Sequence, residues 1–114
     1  MMTGEQPHAA VREEITEMAR RIVEHFHPDK IILVGSYARG TAGPDSDVDL
    51  LVVMPVSGSK RSMRIAIRVA LADIGLAMDV IVATPEEVAL YRDQVGTIIY
   101  PALREGRVLY EQAA

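Results

Sequence analysis

The sequence predicts an α/β fold in which helices pack on a small mixed β-sheet. Apolar residues recur at helical spacing along two segments, and three short apolar runs have the length of buried strands. Turns that contain Gly, Pro and Ser separate these segments. We expect the 114 residues to form a single domain over residues 1–114, with residues 1–7 as a loose leader.

The first half of the chain predicts one helix and two strands. Residues 8–26 carry apolar side chains every three or four positions, which is typical of an amphipathic helix. Residues 30–34 (KIILV) and 48–54 (VDLLVVM) are apolar runs with the length of strands. Their connection is too short for a crossover helix of normal length, so we expect the sheet to be mixed.

The second half predicts more helices and one or two further strands. Apolar residues at helical spacing mark a second helix that ends at Gly75, and residues 77–83 (AMDVIVA) form a third strand. Thr84, Pro85 and Glu87 predict the start of a third helix with a capping box. We expect this helix to end at about Gln94. A short helical piece over residues 102–105 should end at a left-handed Gly106, followed by an edge strand over residues 107–110.

Composition limits the classes of function. The chain has no cysteine, so disulfides, thiolate metal sites and cysteine nucleophiles are excluded, and a reducing cytoplasm is compatible. No apolar run approaches the length of a membrane span, and the N-terminal residues do not form a signal peptide. A net charge of −4 gives no overall attraction to nucleic acid. A polyanionic substrate would therefore need a local cation or a metal ion.

Two aspartates at the start of the second strand suggest a metal site. Asp47 and Asp49 are two residues apart, so in a strand both carboxylates lie on one face. Asp79 interrupts the third strand in the same way, and adjacent strands would bring the three carboxylates together. Clustered carboxylates repel one another unless a cation binds. Oxygen ligands suit Mg²⁺ or Mn²⁺, and two such ions can bridge an attacking oxygen and a triphosphate.

The turn after the first strand suggests a phosphate site. Gly35 allows close approach to the backbone, Ser36 offers a hydroxyl, and a helix start presents free N–H groups to an anion. Arg39 adds a permanent cation whose fork geometry suits phosphate, although a solvated turn residue is an equal alternative. On residue chemistry alone, the chain is expected to perform metal-assisted phosphoryl or nucleotidyl transfer.

These motifs resemble the DNA polymerase β-like nucleotidyltransferase superfamily. Residues 35–40 (GSYARG), residues 46–50 (SDVDL) and a distant Asp79 match its Gly-Ser turn, Asp-x-Asp pair and third aspartate. The chain looks most like the minimal nucleotidyltransferase (MNT) domains, the antitoxin partners of HEPN-domain toxins. The resemblance is strong over residues 30–83 and looser elsewhere. It implies a polymerase β palm-like fold.

The resemblance also implies roles for individual residues. Asp47 and Asp49 would bind both metals and the triphosphate, Asp79 would bind the catalytic metal and act as the base, and Gly35 and Ser36 would hold the β- and γ-phosphates. The implied reaction transfers AMP from ATP to a tyrosine hydroxyl of the HEPN toxin, which silences its RNase activity. A hetero-oligomeric complex in the cytoplasm, with neither membrane nor direct nucleic-acid binding, is the expected setting.

Two other functions stay open at this point. The chain could adenylylate a small molecule such as an aminoglycoside, or it could neutralise a toxin by steric occlusion without catalysis. The second helix also carries a basic face of Lys60, Arg61, Arg64 and Arg68. This face is either solvated or a docking surface for a partner or a nucleotide tail.

Overall fold

The computed structural model describes residues 7–113, and it describes the side chains of residues 11–113. The predicted leader lies outside the described residues except for Pro7, where the first helix already begins. The elements in chain order are α1 Pro7–Phe26, β1 Lys30–Val34, α2 Gly35–Arg39, β2 Val48–Val53, α3 Lys60–Ala70, a 3₁₀ turn Ala72–Ile74, β3 Met78–Ala83, α4 Pro85–Tyr91, α5 Ile99–Glu105 and β4 Arg107–Glu111.

The four strands form one sheet in the order β3-β2-β1-β4. Strand β1 pairs antiparallel with both β2 and β4, whereas β2 and β3 are parallel. The prediction of a mixed sheet is therefore confirmed, as are the adjacency of the second and third strands and the final edge strand. Helix α3 provides the crossover that a parallel pair requires.

Helices cover both faces of the sheet. One face packs against α1 and α3, whose apolar stripes include Met18, Ile22 and Ile67, all fully buried. The other face packs against α4 and α5 through a smaller cluster that contains Ile99 and Ala102. Because side chains alternate along each strand, odd-numbered residues of β2 and β3 point toward α4 and α5. Among the described residues, no helix combines the length and apolarity that a membrane crossing requires.

The start of α4 follows the predicted capping box. The Thr84 hydroxyl accepts a hydrogen bond from the Glu87 N–H at 3.1 Å. The Glu87 carboxylate in turn accepts one from the Thr84 N–H at 2.9 Å. Two N–H groups that the helix cannot satisfy internally are thus paired, which fixes the direction in which the chain leaves β3.

Three predicted helix ends differ from the structure. The second helix changes to a 3₁₀ turn after Ala70 before it reaches Gly75, which has a φ of 78°. Helix α4 stops at Tyr91 instead of about Gln94, because Thr97 and Arg104 bond to carbonyls that follow it. The prediction of a left-handed Gly106 is wrong, since its φ is −75°.

Glycine is nevertheless required at position 106, because no side chain would fit there. A Cβ at this position would overlap the Ala102 carbonyl oxygen and a methyl group of Ile32. The chain passes directly from α5 into β4 here, so the backbone stays extended and packs against β1. Glycine therefore permits a close approach between elements rather than a positive φ.

Candidate active site

The strand register brings two of the predicted aspartates face to face. Asp49 of β2 and Asp79 of β3 are direct partners in the parallel ladder, and Val34 of β1 lies opposite Asp49 on the other side. Partners in a ladder lie on the same face of a sheet, so both carboxylates lie on the face that α5 covers. The end of β1 and the starts of β2 and β3 thus meet at one end of the sheet.

A pocket with a volume of about 260 Å³ opens at this end of the sheet. Its polar wall combines the two aspartates with a cation, a third carboxylate and the Gly35 turn: Gly35, Arg39, Asp49, Asp79 and Glu105. Its apolar wall comes mainly from β3 and the start of α5: Val34, Ile81, Ile98, Pro101 and Ala102. Three carboxylates and one arginine give the polar wall a net negative charge, so an anionic ligand would need a cation to bind there.

The Asp49 carboxylate lies in an electrostatically unfavourable place. Burial raises the pKa of the Asp49 carboxyl above its ordinary value, the negative charges of Asp79 and Asp47 raise this pKa further, and Arg39 lowers it in part. The effects that raise the pKa reflect the cost of one more negative charge in a half-buried place, and Arg39 offsets part of that cost. A bound cation would relieve that cost.

The Gly35 turn is built around the Asp49 side chain. Gly35 has a φ of 75°, which residues with a side chain rarely adopt. A Cβ at this position would overlap Oδ2 of Asp49, and the nearest atoms all belong to that aspartate. The sequence suggested that Gly35 lets a phosphate approach the backbone, and that stays a prediction. The structure shows that the same position also leaves room for the Asp49 carboxylate.

Arg39 lies at the pocket, and Ser36 lies beside it. The Arg39 guanidinium lines the pocket and lies 3.9 Å from the Glu105 carboxylate, and half of its side chain is exposed. Ser36 is half-buried, and its carbonyl oxygen accepts hydrogen bonds from the N–H groups of Gly40 and Thr41. These two hydrogen bonds end helix α2 after Arg39, and they fix the position of the Arg39 backbone.

Asp47 is exposed and lies just before β2, outside the wall of the pocket. Within residues 7–113, no group of three or more His, Asp or Glu side chains is arranged to hold a metal ion. A site for a metal shared by Asp47, Asp49 and Asp79 therefore stays a prediction. The donor set still fits a hard divalent cation, because it consists of carboxylate oxygens. A bound cation would also lower the raised pKa of Asp49.

Sequence reasoning missed the contribution of α5. Glu105, together with the apolar residues Ile98 and Pro101, closes the pocket on the side opposite the aspartates. These residues come near the end of the chain, and they join the site only because β4 pairs with β1. Their local sequence contains no motif that marks them as part of a site.

Comparisons with known proteins give a family and a fold. The family model described as "Nucleotidyltransferase domain" matches residues 15–101. No curated protein sequence matches the chain. Among solved structures, a candidate nucleotidyltransferase from Sulfolobus solfataricus is similar with 18% identity and a TM-score of 0.59, over 97% of this chain and 94% of that one. A toxin–antitoxin structure with AMP-PNP is similar with 18% identity and a TM-score of 0.53, over 85% of this chain and 73% of that one.

Proposed function

This chain belongs to the nucleotidyltransferase domain family and is a transferase, and from that premise we propose that it transfers AMP from ATP to a tyrosine hydroxyl of a HEPN-type RNase toxin. It would do so as the antitoxin of the pair, in the cytoplasm and as a single domain. The observation that carries the proposal is the direct pairing of Asp49 and Asp79 at the wall of a pocket beside the Gly35 turn.

Two lines of support extend the family assignment to this reaction. The motifs GSYARG and SDVDL resemble those of minimal nucleotidyltransferase antitoxins. One of the structures with a similar fold is a toxin–antitoxin complex with AMP-PNP, an analogue of ATP. The pocket is slightly smaller than the ~300–1,000 Å³ that is typical of ligand sites, so part of a nucleotide would extend beyond it.

Asp47, Asp49 and Asp79 would hold one or two Mg²⁺ ions, with Mn²⁺ as a substitute. When bound, the cation would neutralise charge on the triphosphate and on the carboxylates. Gly35 and Ser36 would bind the phosphates.

The remaining chemistry belongs to side chains of this protein. Arg39 would place its positive charge against the triphosphate. The tyrosine oxygen of the acceptor would form a bond to the α-phosphorus while the bond from this phosphorus to the bridging oxygen breaks. Pyrophosphate leaves with the electron pair, and Asp79 accepts the proton of the hydroxyl.

Intact mass measurement of both chains tests the proposal. The protein is mixed with the product of its neighbouring gene, ATP and Mg²⁺, and we expect additions of one or more AMP groups on the partner. Asp49→Asn combined with Asp47→Asn should abolish them. Asp45→Asn is the matched control, because Asp45 is an exposed carboxylate of the same loop that lies outside the pocket.

Each alternative has a distinct outcome. If the Asp47/Asp49 variant still modifies the partner, the assigned site is wrong. If the partner is silenced without any added mass, steric occlusion explains the antitoxin effect. If only a small hydroxylated acceptor such as an aminoglycoside receives AMP, the chain is a small-molecule transferase.

A further inference from the structure

The outer face of α3 carries two parallel stripes that the fold does not explain. Arg61, Arg64 and Arg68 follow one another at spacings of three and four residues and form the first stripe. Ile65 and Val69 form the second, and both protrude into solvent, with 48% and 70% of their surface exposed. The opposite face of the helix packs into the core through Ile67, so these stripes point away from the sheet.

The three arginines have no partner within the part of the chain that the structure describes. Lys60, which the sequence placed on the same basic face, is held by Glu87 of α4 at 2.6 Å. Other basic residues are also engaged, such as Arg21 with Asp73 and Arg104 with Asp93. The arginine stripe therefore keeps its full charge for an external group, in a chain whose net charge is −4.

The apolar stripe is equally unexplained by helix stability. Ile and Val are weaker helix formers than Ala, Leu or Lys, because their branched side chains lose rotamer freedom in a helix. At exposed positions no packing compensates for this loss. A shallow groove of about 290 Å³ runs along the stripe and is lined by Arg64, Ile65, Arg68, Val69 and Ala72. Apolar side chains in a groove beside guanidinium groups are typical of a surface that binds a protein.

The stripes lie away from the nucleotide pocket. Helix α3 packs on the sheet face that it shares with α1, whereas Asp49 and Asp79 lie on the face that α5 covers. A partner on α3 would consequently leave the pocket open. Both surfaces are nevertheless joined through β3, which carries Asp79 and packs against α3.

We propose that the outer face of α3 docks an amphipathic helix of the acceptor protein, with carboxylates flanking an apolar stripe. This inference rests on the proposed function and adds to it the place where the partner binds. Charge and apolar surface together favour this occupant: carboxylates pair with the unpaired arginines, and apolar side chains of the partner cover Ile65 and Val69, which the phosphates of an RNA strand would leave exposed. A second copy of the chain and an RNA strand are the other occupants that the experiment distinguishes.

The probe is the purified product of the neighbouring gene, and calorimetry measures its affinity for the whole chain. Arg64→Glu with Arg68→Glu should weaken binding at least about tenfold, because reversed charges would face carboxylates. Ile65→Ala with Val69→Ala should also weaken binding while the helix is kept. Arg12→Glu with Arg92→Glu is the matched control, since both arginines are exposed and the net charge changes equally. Thermal unfolding confirms that each variant folds.

The salt dependence of binding distinguishes the contribution of the arginine stripe from that of the apolar stripe. Affinity of the wild type should fall as NaCl rises from about 0.05 to 0.5 M, because the screening length shrinks from more than 10 Å to about 4 Å. Arg64→Gln with Arg68→Gln should flatten this dependence, whereas Ile65→Ala with Val69→Ala should preserve it. Equal salt dependence in all three proteins overturns the proposed charge pairing.

Further outcomes overturn the inference, each in a recognisable way. It fails if the wild type does not bind the probe, or if the glutamate variant binds as tightly as the control. It fails if the glutamate variant only turns a dimer of this chain into a monomer, or only loses binding to a single-stranded RNA oligonucleotide. AMP transfer that continues unchanged in the glutamate variant refutes the docking surface and leaves the proposed function intact. A complex that depends on α3 but transfers no AMP refutes the proposed function alone.

Discussion

Replacement of Gly35 by alanine tests two requirements at this position, a left-handed backbone and room for the Asp49 carboxylate. The backbone has a φ of 75°, and a Cβ would occupy the space of Asp49 Oδ2. The first demand concerns the stability of the fold, since a left-handed residue with a side chain costs about 1–2 kcal/mol. The second concerns the site, since the carboxylate must swing away from its place to make room for the new methyl group.

Gly40 offers a matched control at the other end of α2. Its φ is 77°, nearly that of Gly35, but a Cβ there would meet nothing within 4 Å. Gly40→Ala should therefore carry the same backbone strain with no displacement of a carboxylate. We expect urea unfolding to show losses of about 1–2 kcal/mol in both variants. The difference between them should stay within about 1 kcal/mol, because Asp49 can adopt another rotamer.

Activity and metal affinity should separate the two variants. A displacement of about 1 Å in a reacting group can lower a rate about 100-fold. We accordingly expect kcat/KM for AMP transfer to fall about 100-fold in Gly35→Ala and to change little in Gly40→Ala. Calorimetric titration with Mn²⁺, which needs neither ATP nor a partner, should show weaker binding in Gly35→Ala alone. Equal activity and equal Mn²⁺ affinity in the two variants would refute the link between Gly35 and Asp49.

Two further predictions concern the stability of the helices. Thr84→Ala removes the hydroxyl from the capping box of α4 and should lower the free energy of unfolding by about 1 kcal/mol, measured by urea titration, whereas Thr84→Ser should retain most of it. Hydrogen bonds from Arg20 and Arg21 lower the pKa of Glu17 from 4.5 to about 2, so its contribution is complete above pH 4.5 and disappears as the pH falls through about 2. The difference in Tm between the wild type and Glu17→Gln should therefore be present at pH 6 and vanish near pH 2; a constant difference would contradict this assignment.

The two aspartates that face each other were predictable from residue alternation along each strand, once β2 and β3 were taken as neighbours. Residue alternation along β2 fixes the face on which Asp49 lies, and the crossover through α3 brings β3 alongside β2. An aspartate within each of these two apolar strands then indicates the level at which the two carboxylates lie side by side. Asp79 is joined to Asp49 by the register of these strands. The same alternation predicted Asp47 beside Asp49, whereas the structure has Asp47 just before β2, exposed and outside the wall of the pocket.

The contribution of α5 could not be predicted because it depends on contacts between distant segments. Glu105 approaches Arg39 only after β4 has paired with β1. The end of α4 at Tyr91 likewise depends on Arg104, which bonds to the carbonyl oxygen of Arg92. Neither contact leaves a local pattern in the sequence. The capping box at Thr84 could be recognised in the sequence, whereas the contact of Arg104 with the residue after α4 could not.

The pairing of β4 with β1 has a consequence for the order in which the pocket is assembled. Strand β4 begins opposite Leu33, next to the Gly35 turn, and α5 lies immediately before it. During synthesis the carboxylates of β2 and β3 emerge well before β4, and domains fold as units once their parts are available. A nascent chain still without β4 would have the acidic residues but lack the wall that holds Glu105. The pocket around Asp49 and Asp79 is thus complete only after residues 107–111 have joined the sheet.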